Sequence, residues 1–277
     1  MSSNHEVIGG FELRREWAPM RTLLAGVWRS WPLVVTLARQ NFYVRYRRAS
    51  LGLLWAVGIP FVQAMVLAFV FSRVLRVGTV DHFAVFVLAG ITAWTFFNSA
   101  VQAASTSIVD QSTMSTRIYF PRMIFPLVAV GANLFGFVLS VAVLLLVAAI
   151  DGVALGARLL WLLPATALLV ALTTSLALVL SGLHVYFRDV RYLVQAAFIA
   201  WLYLTPVIYS VEQAGQYGHL LPVNPATGVV LLFRAGVVGR DEYFLSSIGS
   251  SIAWTTALLV IGLLIHRRYD RVFADLL

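Results

Sequence analysis

The stretch LSGLHVYFRDVRYLVQ (residues 180–195) places Arg188, Asp189 and Arg191 within four residues, while residues 159–183 and 192–211 carry no charge. Two guanidinium groups beside one carboxylate can pair with each other or present charge to a partner. They do not make an acid–base or nucleophilic site. Asp189 is the informative member, because membrane orientation needs only the basic residues. It is expected to pair with a neighbouring arginine and fix a turn. Elsewhere the reactive groups are sparse. All 20 basic residues are arginine and there is no cysteine. This excludes disulfides, thiolate metal sites and a lysine-containing phosphate loop. His5, His82, His184, His219 and His266 are scattered without metal-ligand spacing, and Asp241-Glu242 reads as a solvated turn. No catalytic residue and no metal site is expected.

The elements that must position these groups follow from composition. Hydrophobic residues make up 60% of the 277-residue chain and charged ones 12%, about half the usual charged share. Runs near 20 residues without an ionisable side chain are long enough to cross about 30 Å of hydrocarbon as helices. The fold class expected is an all-α polytopic membrane protein with six spans, over residues 53–72, 83–103, 124–150, 159–183, 192–211 and 246–265. An even number puts both termini on one side. On that assignment fifteen of the 20 arginines fall on the side of the termini, which predicts that the termini are cytoplasmic. The expected organisation is a cytoplasmic tail over 1–31 without a signal peptide, an interface helix over 32–52, a permease domain over 53–265 and a cytoplasmic tail over 266–277. The formal charge of +8 then reflects arginine retained inside and calls for no nucleic acid.

This frame locates the charged knot. A continuous helix over 159–211 would be about 80 Å long, so the knot must be a tight cytoplasmic turn between the fourth and fifth spans. The last external segment, 212–245, has an apolar core over 228–238 that is too short to span. It suits a re-entrant or interfacial extracytoplasmic helix between spans five and six, and Asn224-Pro225 marks a beginning for such an element; the fold expected has re-entrant extracytoplasmic helices there. Within the spans, Asn98, Gln102, Asn133 and Thr205 suit either interhelical hydrogen bonds or a polar lining. Trp94, Phe96, Phe97, Trp201, Tyr203 and Tyr209 suit either interfacial belts or stacking platforms for sugar rings. The cluster NFYVRYRRASLGLLW (41–55) brings Tyr43, Arg45, Tyr46, Arg47 and Arg48 to the first span, near anionic lipid headgroups. The spans hold no ionisable side chain, which disfavours an ion-coupled carrier. Any driving energy must come from a partner.

Four stretches, RYRRASLGLLWAVGIP (45–60), RIYFPRMIFPL (117–127), VYFRDVRYLVQ (185–195) and YLTPVIYS…LLPVNPATGVVLLFR (203–234), together resemble the polysaccharide-exporting permeases of ATP-binding-cassette transporters. They cover most of the chain beyond residue 40. The resemblance implies export of lipid-linked glycan of the O-antigen, teichoic-acid or galactan type across a bacterial cytoplasmic membrane. It implies a homodimer bound to two copies of a separate ATPase, which would hold ATP and Mg while this chain binds no cofactor. Tyr43, Arg45, Tyr46, Arg47 and Arg48 would belong to the interface helix. Asp110, Arg117, Tyr119, Phe120, Pro121 and Arg122 would form the ATPase-coupling loop, with Arg188, Asp189 and Arg191 as a second contact. Trp94, Phe96, Phe97, Asn98, Asn133, Tyr203 and Tyr209 would line the channel, and Asn224, Pro225 and Arg234 would belong to an extracytoplasmic gate. A drug or lipid exporter, an ion-coupled carrier and a non-transporting membrane scaffold remain as alternatives.

Overall fold

A computed structural model describes residues 20–47, 52, 54–70, 82–111, 121–239 and 243–269. Arg48, Arg117, Tyr119, Phe120, Asp241 and Glu242 lie outside the described residues, as do residues 1–19 and 270–277; the side chain of Tyr46 does too. The chain runs through α1 (Met20–Arg29), α2 (Trp31–Tyr46), α3 (Leu54–Phe69), α4 (Phe83–Asp110) and α5 (Ile124–Ile150). A 3-10 turn (Ala157–Trp161) leads into α6 (Leu162–Tyr186), followed by α7 (Val190–Leu204), a 3-10 segment (Glu212–Val223), α8 (Pro225–Val237) and α9 (Phe244–Tyr269). Among the described residues there is no strand.

Four helical stretches are long and apolar enough to cross a membrane: Phe83–Asp110, Ile124–Ile150, Ala157–Tyr186 and Phe244–Arg268. The protein is thus an all-α, multi-pass membrane protein, but two of the six expected spans come out short. The described part of α3 has 16 residues. The span expected over 192–211 stops as α7 at Leu204 after 15 residues. The physical reason is Pro206, which disfavours helical backbone at the residue before it; Thr205 is extended, with φ −101° and ψ 136°. Beyond it the 3-10 segment and α8 are bent by 115° relative to each other.

Helix α4 is the centre of the bundle, buried along most of its length against α3, α5, α6, α7 and α8. Its Gly90 admits the backbone after α7, since a Cβ there would lie 2.6 Å from the Val207 carbonyl oxygen. Helix α8 is enclosed, with every residue from Ala226 to Val237 buried, and α9 packs along both α6 and α8.

The bundle has two distinct ends. At one, Ile108 of α4, Phe125 of α5, Val185 of α6 and Ile265 of α9 pack together. This gathers the C-terminal ends of α4, α6 and α9 with the start of α5. At the other, His82 Nδ1 meets Asp151 Oδ2 at 2.7 Å across the outer ends of α4 and α5, and Trp161 packs edge-on against Phe244 with centroids 5.5 Å apart.

Part of the segment expected as a tail is helical. In α1 and α2, Leu24, Trp28, Trp31 and Val35 form an exposed apolar stripe. Helix α2 begins with Pro32 in its first turn and seats Val34 and Ala38 against Ile124, Val128 and Ala132 of α5. Phe42 continues this row onto Phe135, with ring centroids 5.5 Å apart.

Candidate functional site

Because α7 ends early, its last carbonyls lose their helical donors and must be met by other groups. Asn224 supplies much of what is needed. Its Nδ2 donates to Thr205 Oγ1 at 2.9 Å and to the Leu204 carbonyl at 3.2 Å. Its Oδ1 accepts from Trp201 Nε1 at 2.8 Å and, as the N-cap of α8, from the Ala226 amide at 3.0 Å. Pro225 then occupies the first turn of α8, where its missing N–H costs nothing. One side chain therefore joins the end of α7 to the start of α8.

Beside this junction lies an open groove of about 860 Å³, whose walls include Trp201, Tyr203, Tyr209, Gln213, Tyr217 and Asn224. Tyr203 and Tyr217 are exposed. The Tyr209 hydroxyl donates to the Tyr203 carbonyl at 3.2 Å, and the Gln213 side chain accepts from the Ser210 amide at 2.9 Å. Aromatic faces combined with the exposed phenol hydroxyls of Tyr203 and Tyr217 can stack against and hydrogen-bond a hydroxyl-rich ring. Tyr203, Tyr209 and Asn224, picked out in the sequence, come together here, and Arg234 lies buried directly behind Tyr209. Gln213 and Tyr217 were not singled out; the early stop signalled by Thr205-Pro206 could have pointed to them, because it folds the following segment back over the helix end.

Three other expected lining residues are placed differently. Trp94, Phe96 and Phe97 are at most 4% exposed. Trp94 and Phe97 pack with Phe198 and Trp201, with centroid separations from 5.1 to 6.3 Å. Phe96 lies against Phe137 at 4.9 Å. These rings fasten α7 and α5 to α4 and are not available to line a passage in this conformation. Asn98 accepts from Gln102 Nε2 at 2.5 Å within α4.

Asn133 instead serves α2. Its Oδ1 accepts from Arg45 Nη1 at 2.9 Å, while its Nδ2 donates to the Ala129 carbonyl at 2.8 Å. Arg45 and Asp110 line a cavity of about 300 Å³ between α2, α4 and α5. Tyr43 is exposed and lies under Arg39, 5.6 Å from guanidinium carbon to ring centroid. Arg47 caps α2 through its backbone amide, which donates to the Tyr43 carbonyl at 2.9 Å.

At the end of the bundle away from the groove, Asp110 accepts from Thr106 Oγ1 at 2.6 Å. Pro121 and Arg122 lead into α5, where their carbonyls accept from the Ile124 and Phe125 amides, each at 3.1 Å. The Pro121 ring is held by α1: a Cβ on Gly26 would lie 2.9 Å from Pro121 Cγ. The Arg188–Asp189 turn is as tight as expected, but the proposed pairing is corrected. Among the described residues no ion pair joins Asp189 to an arginine, and its side chain makes no capping bond. The turn is closed by backbone bonds, Phe187 N to Leu183 O at 2.9 Å and Val190 N to Phe187 O at 3.1 Å. Arg191 lies over the Tyr192 ring at 4.6 Å and donates to its hydroxyl at 2.7 Å. Arg188, Asp189 and Arg191 are all exposed.

A charge-poor helical bundle with a charged, exposed turn at one end and an aromatic groove at the other defines a multi-pass membrane protein. Residues 32–238 match the ABC-2 type transporter family, and the chain belongs to that family. It is 26% identical over 253 residues to an O-antigen export system permease protein RfbA of Klebsiella pneumoniae, covering 88% of this chain and 95% of that protein. A protein of the same name from Myxococcus xanthus is 29% identical over 210 residues, covering 73% of this chain and 79% of the relative.

Proposed function

We propose that the chain is the transmembrane subunit of an exporter that moves lipid-linked polysaccharide across the bacterial cytoplasmic membrane. The glycan would be of the O-antigen, teichoic-acid or galactan type. The chain works as a homodimer bound to two copies of a separate ATPase, which hold the ATP and Mg. Its termini are cytoplasmic, and the short helices α3 and α7 are the two further crossings of a six-span fold. The observation that carries the substrate reading is the groove, where Trp201, Tyr203, Tyr209 and Tyr217 stand beside Gln213 and Asn224. Apolar ring faces of a pyranose stack on aromatic side chains while its hydroxyls meet the exposed phenols of Tyr203 and Tyr217. The names of the relatives support the same substrate class.

The charged end supplies the drive. The loop from Asp110 to Arg122 and the exposed Arg188–Arg191 turn meet the ATPase, so closure of the two ATPase copies displaces α4, α5, α6 and α7 together. Trp94, Phe97, Phe198 and Trp201 carry that displacement from α4 to α7, and Asn224 passes it to α8. Depleting the chain in its host and identifying the lipid-linked polymer that accumulates inside tests this reading. A glycan on a lipid carrier is the expected result, and accumulation of no glycan overturns it.

A further inference from the structure

Arg234 is 1% exposed and heads the largest fully buried side chains. A guanidinium withdrawn from water in a membrane protein is costly unless its donors and faces are met, and one retained there points to a specific task. Three groups on two elements meet it. Its guanidinium carbon lies 3.4 Å from the ring centroid of Phe86 on α4, Nη2 donates to the Val207 carbonyl at 3.0 Å, and Nη1 donates to the Tyr209 carbonyl at 3.2 Å. Both carbonyls belong to the stretch after Thr205, which has no helical ladder of its own to hold it. Gly90 of α4 receives the same stretch at close range. Of the residues Arg234 holds, Tyr209 lines the groove and Arg234 itself does not.

We infer that Arg234 is the positioning residue of the groove. Its planar guanidinium, stacked on Phe86, holds the backbone at Val207 and Tyr209 and so fixes where the Tyr209 ring stands. It acts through those carbonyls and does not touch the transported molecule. Lysine cannot reproduce the arrangement, because its ammonium lacks the planar fork that stacks on a ring while reaching two acceptors. The functional consequence rests on the reading of the groove as part of the export path; the positioning itself rests on the contacts alone.

The chain contains no cysteine, so a single introduced thiol reports on one place. Tyr209→Cys serves as the groove reporter, and Ile150→Cys, at the exposed end of α5, as the reference. Each is labelled with a membrane-impermeant maleimide in membranes holding the full complex. Arg234→Met is expected to raise the labelling rate at position 209 by about tenfold or more and to leave position 150 unchanged. Arg234→Lys should fall between Met and wild type, and Phe86→Leu should give a smaller rise at 209 alone. Equal labelling at 209 in all backgrounds overturns the inference, and so does a parallel rise at both positions, which would mean general loosening. If Arg234→Met does not accumulate, the Phe86→Leu pair of rates decides: a rise confined to 209 sustains the inference and no rise overturns it. Raised labelling with export intact would keep the positioning role and sink the groove's place on the path. Lost export with unchanged labelling would do the reverse.

Discussion

The two ends of the bundle keep their shape by different means. At the charged end, two regular helices meet through a turn closed by backbone bonds, and Arg188, Asp189 and Arg191 stay exposed. At the groove end, the helix stops at Thr205, and side chains from elsewhere bind the freed backbone: Asn224 at Leu204, Arg234 at Val207 and Tyr209. Where the backbone satisfies itself, charged side chains remain available for a partner. Where it does not, polar side chains are committed to holding the fold. Substitutions at the two ends should therefore behave very differently.

The largest effect is expected for Asn224→Ala. It removes four hydrogen bonds and leaves the Leu204 carbonyl and two N–H groups to find new partners, a loss of about 2–4 kcal/mol. Thermal unfolding in detergent measures this, and Asn224→Asp, which retains the acceptor but not the donor, should recover about half of the loss. Gly90→Val is next, at about 2 kcal/mol, because its side chain would meet the Val207 backbone; the same unfolding assay would show it, with export falling in parallel. Asn133→Ala breaks the link to Arg45 and should cost about 1 kcal/mol. Limited proteolysis should then cut at α2 while the spans stay protected. The smallest effect is expected for Asp189→Ala and Asp189→Asn, each within about 0.5 kcal/mol of wild type. A larger loss in either would show that the charged end also depends on a side-chain pair and would erase the contrast.

The helical membrane class, the turn at Arg188–Asp189 and the start of α8 at Asn224-Pro225 were all legible in the sequence. Each follows from a strong local rule: hydrocarbon thickness, the cost of mid-membrane charge, or the backbone restriction before proline. The length of the fifth span was not legible, because hydropathy integrates over a window and ignores Pro206, although the residues after it are apolar enough to continue the run. Nor were the roles of Trp94, Phe96 and Phe97. An aromatic ring in an apolar run packs equally well inward or outward, and only the positions of Phe137, Phe198 and Trp201 decide. The isolation of Asp189 from both arginines was hidden for a related reason. Adjacent residues at a helix start point in different directions, so neighbourhood in sequence does not make a pair. Arg234 shows the same limit in reverse: nothing local marks this lone cation as buried until Phe86 and the Val207 and Tyr209 carbonyls around it are seen.

The early stop of α7 has a further consequence, in the dimension of height. Fifteen residues rise about 22 Å as a helix, whereas the 27 residues of α5 rise about 40 Å. The hydrocarbon layer is about 30 Å thick, so one helix falls short of it and the other overshoots. Surrounding lipid must thin beside the first or tilt the second. The fit of this protein to its surroundings is therefore uneven around its circumference, and acyl-chain length becomes a variable that acts on the groove side and the α5 side in opposite senses.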